Sequence, residues 1–239
     1  MPGRGNSWSA RQSCCLVLLS ERAELVVERR PGHPVFARYY TRVSQAMETG
    51  GMAEYRRQAL AGLTGTVIEI GAGNGLNFAH YPAGVTRVLA VEPDPYLRQA
   101  AGQQARQAPV PVEVRDGVAE RLPAEDGAFD AAVVTMVLCS VADQRAVLGE
   151  IHRVVRPGGQ LRFLEHVQAG TPGWRRTQRL LDATIWPLLL GGCHSGRDTL
   201  GSIASTGFTV ERAEEFRFPP TRWSTPTSQH VSGVAVRDR

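Results

Sequence analysis

An apolar, β-branched run that ends in three closely spaced glycines limits the folds that this chain can adopt. Residues 66–70 predict a buried strand, and Gly71, Gly73 and Gly75 follow it directly. Glycines permit the sharp turn that a chain makes at the carboxyl end of a strand. They also let a ligand lie against backbone N–H groups at the start of a helix, which the pattern predicts over residues 76–81. The order of strand, glycine turn and helix therefore predicts a ligand-binding unit.

The spacing of the glycines distinguishes two kinds of ligand. A dinucleotide fingerprint has the order G-x-G-x-x-G, whereas the third glycine here is Gly75 and Leu76 follows it. The pattern Glu69-x-Gly71-x-Gly73-x-Gly75 resembles motif I of the class I methyltransferases that use S-adenosylmethionine (SAM). In that family the loop holds the amino-acid end of SAM, and the acidic residue before it receives the ammonium group. A turn that only connects a strand to a helix is the alternative.

An acid also follows the next predicted strand, residues 87–91. Glu92 lies roughly 20 residues after the glycine turn, where a nucleotide-binding α/β unit places a carboxylate on ribose hydroxyls. The run from Val91 to Pro95 resembles motif II of the same family, which assigns Glu92 to the ribose. Asp94 and Pro95 predict the N-cap and first turn of a helix. A solvated acid in a connecting loop is the alternative for Glu92.

Strands and helices alternate along the rest of the chain, which predicts a doubly wound α/β sheet. Further strands are predicted at 110–114, 129–134, 160–164, from 207 and at 229–236, with helices over 95–107 and up to 155. The resemblance implies the seven-stranded, mostly parallel Rossmann-like sheet of class I methyltransferases, with the last strand antiparallel. It also implies that helices within 33–63 form an N-terminal lid over the cofactor, where Tyr39 or Tyr40 touches SAM or the acceptor. Packing of both tyrosines in the core is the alternative.

The resemblance assigns a set of residues to SAM. They are Glu69, Gly71, Ala72, Gly73, Gly75, Asn77, Glu92, Pro93, Val118, Ala119, Thr135 and Leu138. Val118 departs from the family pattern, because many relatives have an aspartate there that accepts from the adenine amino group. A valine makes no such bond, so the adenine is expected to rely on apolar contacts and on backbone near Ala119.

Motifs in the second half of the chain narrow the resemblance. They are residues 138–141, 156–159 and 165–167, Trp186, Gly192-Cys193 and His230-Val231-x-Gly233. Together they resemble one branch of the type 11 methyltransferases, which includes small methyltransferase-like proteins of animals that methylate alkyl thiols. This resemblance covers residues 33–236 and implies methyl transfer from SAM to a small molecule, with thiol sulfur as the first acceptor to test. O- or N-methylation of a secondary metabolite, quinone or lipid-like acceptor is the alternative, and a SAM-binding protein without transfer activity is another.

The acceptor is expected to bind near residues 168–200, interpreted as a cap of two short helices. The methyl group of SAM is already activated, so the protein needs mainly to align a nucleophile and exclude water, and no metal is predicted. His166 is the preferred proton acceptor, with His194 and Asp182 behind it, and support of its loop is the alternative role for His166. Arg197 is expected to pair with Asp182 or to recognise an acidic acceptor.

The composition reduces the number of protein classes that fit this sequence. With 239 residues, 42% hydrophobic and 21% charged, the chain suits one α/β enzyme domain, predicted over 33–239. The net charge of +4 arises without any lysine, and the scattered arginines lack a patch of stacking aromatics, so no nucleic-acid partner is expected. The apolar stretch 14–19 is too short for a membrane span and lacks a cleavage site, so stable membrane insertion is not expected. Residues 1–32 are interpreted as a poorly ordered extension.

Cysteine usage favours a cytoplasmic protein. Cys14 and Cys15 are adjacent, and Cys139 and Cys193 lie far apart in sequence, which matches neither a disulfide framework nor a CxxC metal site. Cys139 and Cys193 are interpreted as packing residues, because methyl transfer requires no enzyme thiol. The sequence does not determine the oligomeric state.

Overall fold

The computed structural model describes residues 34–184, 186–189, 191–220, 225 and 227–239, and the predicted extension over 1–32 lies outside them. Its helices are α1 Pro34–Met47, α2 Ala53–Leu60, α3 Pro95–Ala105, α4 Gln144–Val154, α5 Pro172–Asp182, α6 Trp186–Leu189 and α7 Thr199–Ala204. Its strands are β1 Gly65–Ile70, β2 Val85–Val91, β3 Val112–Arg115, β4 Phe129–Thr135, β5 Val155–His166, β6 Phe208–Arg217 and β7 Gln229–Arg237. Among the described residues, no helix is long and apolar enough to cross a membrane.

The seven strands form one sheet in the order β3-β2-β1-β4-β5-β7-β6. Strands β3, β2, β1, β4 and β5 are parallel, and β7 runs antiparallel to both β5 and β6. The predicted doubly wound sheet with an antiparallel last strand is therefore confirmed. The strand order reverses at β1, between β2 and β4, and a doubly wound sheet binds its ligand at the carboxyl ends of the strands at such a point.

The register of the central strands aligns their carboxyl ends. Ile70 at the end of β1 lies opposite both Val91 of β2 and Val134 of β4. The residues that follow each strand end, Glu92 among them, therefore share one edge of the sheet. This alignment explains how residues distant in sequence reach one site.

Both faces of the sheet are covered, as a parallel sheet requires. Successive side chains of a strand point to opposite faces, so Ile68 and Ile70 pack into one apolar cluster and Val67 packs into the other. The last four residues of β1 are all buried. This burial explains why β1 lacks the alternation of polar and apolar residues seen in half-exposed strands.

Two sequence predictions about local structure were wrong. The helix expected over 76–81 is only a 3₁₀ turn, Phe78–His80, because Tyr81 is extended (ψ 127°) before Pro82, and a residue before proline disfavours the helical conformation. Strand β5 begins at Val155 and not at 160, because Val155 already pairs with Phe129 of β4. Gly158 then adopts a φ of 72° inside the strand, which lets the chain bend there without ending the strand.

Helix α1 lies over the glycine turn, as predicted for the lid. The ring of Tyr40 packs on Gly73, so closely that a Cβ added to Gly73 would be 3.2 Å from Tyr40 Cε1. One turn earlier, the ring of Phe36 packs on Gly191 in the loop after α6. Helix α1 thus contacts the glycine turn and the predicted acceptor-side cap at once.

Candidate active site

The glycine turn is held open by backbone conformations that other residues rarely adopt. Gly71, Gly73 and Gly75 have φ values of 66°, 57° and 81°. The Gly71 and Ala72 N–H groups donate to the carbonyl of Val91, which fixes the turn to the end of β2. A side chain at Gly71 has no room either, because its Cβ would lie 2.6 Å from a methyl group of Val137. The turn therefore keeps its shape only with glycine at these positions.

Glu92 holds the same turn from the other side. One carboxylate oxygen accepts from Gly73 N–H at 2.8 Å, and the other accepts from Asp94 N–H at 2.9 Å. Burial raises the pKa of Glu92, because desolvation outweighs these two hydrogen bonds. Each oxygen keeps a second lone pair, so the carboxylate can still accept from two ribose hydroxyls. The geometry fits the predicted role of Glu92.

Glu69 is at the centre of a buried polar network. Its carboxylate accepts from Asn77 Nδ2 at 3.0 Å and from the Tyr81 hydroxyl at 2.7 Å. Burial raises the pKa of Glu69 to about 7. Asn77 Nδ2 also donates to Thr135 Oγ1 at 3.0 Å, and Asn77 Oδ1 accepts from Arg56 at 2.9 Å. Both donors bonded directly to the carboxylate are neutral. A ligand ammonium would therefore give Glu69 the positively charged partner that these two bonds do not provide.

Arg56 extends the network to the N-terminal helices. Its guanidinium is buried and also pairs with Glu48 at 2.9 Å, and Glu48 accepts from His80 at 3.1 Å. Helix α2 is thereby tied to the segment that follows the glycine turn. Sequence reasoning missed Arg56 and Tyr81, since neither belongs to a recognisable motif.

The two candidate lid tyrosines have different environments. Tyr40 lies against Gly73, and burial raises its pKa, with Glu92, Glu69 and Cys139 close enough to add to that shift. Tyr39 is 48% exposed. Of the two, Tyr40 is the one that faces the site.

A buried carboxylate shapes the loop after β4. Glu165 accepts from the N–H groups of Val137, Leu138 and Cys139 at 2.8, 3.1 and 3.3 Å. Burial raises the pKa of Glu165 to about 7. The carbonyl of Leu138 accepts from Arg197 at 2.7 Å, so the loop is fixed on both sides. An acid at the end of the apolar run Phe163-Leu164 was the sequence signal for Glu165, which was not assigned a role.

The structure gives Asp182 and Arg197 tasks other than the predicted ones. Asp182 accepts from the N–H groups of Ser195 and Gly196 at 2.9 and 2.8 Å, so it orders the loop that follows Cys193. Arg197 bonds to the backbone of the β4 loop and not to Asp182. Asp182 is therefore placed to position a loop, and its part in proton transfer stays a prediction.

His166 ends β5 among sulfur atoms. Its Nδ1 lies 3.7 Å from Cys139 Sγ and 3.6 Å from Cys193 Sγ. Both cysteines are buried and free. The pKa of Cys139 rises well above its ordinary value, because its thiol bonds to Cys193 and is buried, whereas the pKa of Cys193 falls because it accepts that bond and is near His166. The packing role predicted for the cysteines omits this polar contact, which their spacing in sequence does not reveal.

Two further histidines are near this cluster. The ring of His230 lies 4.5 Å from that of His166, centroid to centroid, and its Nδ1 donates to the Ser228 carbonyl at 3.0 Å. Burial lowers the pKa of His230 to about 3, and its buried Nε2 has no hydrogen-bond partner in the described part of the chain. His194 donates from Nδ1 to the Gly192 carbonyl at 2.7 Å, and its backbone N–H donates to the Cys139 carbonyl. His166 and His194 thus both lie at this end of the sheet.

The remaining predicted cofactor residues lie on the same edge with different exposures. Leu138 is fully buried, Ala72 is buried and Pro93 is exposed. Val118 and Ala119 are partly buried in the connection between β3 and β4, where Val118 forms an isolated bridge with Arg121. Adenine contacts at Val118 and Ala119 stay a prediction.

Known proteins resemble the chain in sequence. A methyltransferase domain, type 11, matches residues 68–163, from β1 into β5. The human thiol S-methyltransferase TMT1B is 34% identical over 191 residues, which cover 75% of this chain and 75% of that protein. Human TMT1A is 33% identical over 187 residues with the same shares. A demethylmenaquinone methyltransferase of Listeria monocytogenes is 40% identical over 65 residues, 27% of each chain.

Solved structures share the fold. A SAM-dependent methyltransferase from Thermotoga maritima has a TM-score of 0.61 at 19% identity and covers 86% of this chain and 98% of its own. Geranyl diphosphate methyltransferase in complex with SAM has a TM-score of 0.59 at 18% identity, covering 79% and 85%. At such identities the likeness shows the fold alone.

The residues present fit SAM on their own geometry. The glycine turn places no side chains at Gly71, Gly73 and Gly75, Glu92 offers lone pairs at the next strand end, and Glu69 is a buried acid whose direct partners are neutral. These features lie where the strand order of the sheet reverses. Together with the similarity to TMT1B across most of both chains, they identify the protein as a SAM-dependent enzyme. The chain belongs to the type 11 SAM-dependent methyltransferases, in the branch that contains the thiol S-methyltransferases TMT1A and TMT1B.

Proposed function

We propose that this enzyme methylates the sulfur of a small thiol. The observation that carries the proposal is the position of His166, next to the buried Cys139 and Cys193, at the cofactor edge of the sheet. The names of the human relatives, which are thiol S-methyltransferases, point the same way.

The chemistry of the acceptor side supports a thiol over an alcohol. An alcohol needs a strong base, whereas the basic side chain next to the two cysteines is the imidazole of His166, a weak base. A thiol has a pKa of about 8.5 and loses its proton to an imidazole far more readily than an alcohol does.

When bound, SAM supplies a methyl group already activated by the positive sulfur. The chain then has four tasks. Glu69 and its network receive the ammonium group, Glu92 receives the ribose hydroxyls, and His166 takes the acceptor proton as the thiolate forms. Tyr40 and the fixed loop after β4 exclude water from the reacting atoms. Alignment of the acceptor with the methyl group can lower the barrier by on the order of 7–11 kcal/mol at most.

The thiol, alcohol and amine of one carbon skeleton provide the test. The three compounds are 2-phenylethanethiol, 2-phenylethanol and 2-phenylethylamine, and formation of S-adenosylhomocysteine is the readout. Turnover with the thiol alone is the expected result. Turnover with the alcohol or the amine but not the thiol would refute the thiol assignment in favour of O- or N-methylation. Tight SAM binding with no turnover of any acceptor would favour a binding protein without transfer activity.

The proposal includes a small-molecule acceptor, not a nucleic acid, and a cytoplasmic location. The spacing of the four cysteines, which matches no disulfide framework, supports a reducing compartment, because disulfides are rare there. Fractionation of cells that express the protein tests this location.

The methyltransferase domain is proposed over 33–239, with its acceptor-side cap over 168–200.

A further inference from the structure

Three side chains from separate parts of the chain meet at one point. They are Cys139 in the loop after β4, His166 at the end of β5 and Cys193 in the loop after α6, and their ligand atoms all lie within 4.8 Å of one another. In the described part of the chain, this is the group of His, Cys, Asp or Glu side chains that could hold a metal ion. The proposed methyl transfer uses His166 and leaves both cysteines without a task.

The two sulfur–nitrogen distances in the group are those of a zinc site. Zinc lies about 2.3 Å from a cysteine sulfur and about 2.0–2.1 Å from a histidine nitrogen, so tetrahedral geometry places sulfur and nitrogen about 3.6 Å apart. Here the two separations between sulfur and His166 Nδ1 are 3.7 and 3.6 Å. An ion can therefore bind His166 and either cysteine with little change in these two distances, and the two sulfur atoms lie within 4.8 Å of each other.

The loops that carry the ligands are fixed before any ion binds. Glu165 holds the backbone N–H of Cys139, and the Cys139 carbonyl accepts from His194 N–H at 2.7 Å, which joins the two cysteine loops. Asp182 anchors the two residues after His194. Such supporting hydrogen bonds orient metal ligands and raise affinity.

The group lies beside the cofactor site. Gly191, two residues before Cys193, packs against Phe36 of α1, and one turn further Tyr40 packs on Gly73 of the glycine turn. Cys139 follows Thr135, which bonds to the Asn77 network, by four residues. An ion held here is therefore close to the residues assigned to SAM.

We infer that Cys139, Cys193 and His166 bind one Zn²⁺, and that its fourth coordination position takes the sulfur of the thiol acceptor. Three protein ligands with an open position are typical of catalytic zinc, and two cysteines with one histidine form one of the known sets. His166 is the partly exposed member of the group, whereas both cysteines are buried, so the open position faces the side of His166. The inference rests on the proposed thiol methylation for the identity of the fourth ligand.

The ion changes how the acceptor loses its proton. The thiol R–SH binds zinc and releases its proton to solvent, so His166 acts as a ligand and not as the base. The zinc-bound sulfur then attacks the methyl group: the new S–CH₃ bond forms, the bond from methyl to the sulfonium breaks, and its electron pair stays on S-adenosylhomocysteine. The neutral thioether is a weaker ligand and leaves, and no oxidation or reduction occurs.

Metal content tests the site independently of turnover. We expect chelator-stripped protein to bind one equivalent of added Zn²⁺, measured by mass spectrometry of the metal. With Co²⁺ in place of zinc, we expect thiolate charge-transfer bands and the intense visible bands of a tetrahedral ion. The variants Cys139→Ser and Cys193→Ser should weaken zinc binding by at least about 100-fold, because loss of a supporting residue alone costs 10–100-fold. The double variant Cys14→Ser/Cys15→Ser is the matched control and should keep the zinc.

The outcomes separate this inference from the thiol proposal. Calorimetric SAM affinity near the wild-type value shows that the serine variants are folded. Equal zinc binding by the wild type and both serine variants would overturn the site, and so would a disulfide between Cys139 and Cys193 in anaerobically purified protein. Full thiol turnover by zinc-free enzyme would overturn the inference that the ion takes part in catalysis, and the thiol proposal would be unaffected. A Co²⁺ spectrum that does not change when 2-phenylethanethiol is added would overturn the assignment of the fourth position.

Discussion

The raised pKa of Glu69 predicts that SAM binding depends on pH in a specific way. Burial raises this pKa to about 7 in the free protein. An ammonium group against the carboxylate favours its ionised form, so binding of SAM should lower the pKa of Glu69 and release a proton. Affinity for SAM should therefore fall as the pH decreases from 7 to 6.

The magnitude follows from the ionised fraction of Glu69. With a pKa of about 7, about half of the free protein has an ionised Glu69 at pH 7 and about a tenth at pH 6. If only the ionised form holds the ammonium, affinity falls about fivefold, and about 0.9 proton leaves for each SAM bound at pH 6. The amino group of SAM stays mostly protonated throughout, since α-amino groups have a pKa of about 7.7–8.0.

Calorimetry in two buffers of different ionisation enthalpy measures both quantities. Glu69→Gln removes the titrating group, so its remaining affinity should vary less than about twofold over this range. Glu54→Gln is the matched control, because Arg57 lowers the pKa of that exposed acid to about 2 and it does not titrate near neutrality. Wild-type binding at pH 6 without proton release would refute the assignment of Glu69 to the ammonium.

Three substitutions test other parts of the site. Glu92→Ala removes the acceptor of two backbone N–H groups and should weaken SAM binding by about 1–3 kcal/mol in calorimetry. Glu113→Ala, at an exposed position of strand β3, is the control and should leave SAM binding unchanged. Equal SAM affinity of the Glu92→Ala variant and the wild type would exclude Glu92 as a ribose ligand. Gly71→Ala places a methyl group 2.6 Å from Val137 at a positive φ and should cost about 1–3 kcal/mol of unfolding free energy, measured with denaturant. Gly102→Ala, in a helix with open space around it, is the control and should be neutral or stabilising. A Gly71→Ala variant as stable as the Gly102→Ala variant would contradict the steric argument. His166→Ala should lower kcat and leave SAM affinity within about twofold, because the ring touches the acceptor side, and unchanged kcat would remove His166 from the mechanism.

The sheet and the cofactor edge were predictable because their signals are local. The apolar run before Gly71 and the acid at Glu92 each follow a strand, and parallel strands bring their carboxyl ends together. Strand β5 was placed too late and the helix after Gly75 was wrong, because cross-strand pairing of Val155 and the conformation before Pro82 outweighed the local pattern.

The acceptor side was less predictable because its contacts join distant residues. Cys139 and Cys193 are 54 positions apart (193 minus 139), and their approach to His166 depends on loops held by Glu165 and Asp182. Neither acid shows its task in sequence, since a carboxylate that accepts from backbone N–H groups needs no partner residue of a particular type. Residues of this kind are found from the fold and not from motifs.

The two outermost strands bear on how molecules of this enzyme meet in solution. An unpaired strand edge offers N–H and C=O groups on which a neighbouring chain can add a strand. At one border the sheet ends in β3, which has only four residues. At the other, β6 is ten residues long, and much of it is exposed and bears charged side chains such as Glu211, Arg212 and Glu214. A short strand at one border and a charged strand at the other both discourage the sheet from continuing into a second molecule, which protects the enzyme from edge-to-edge aggregation.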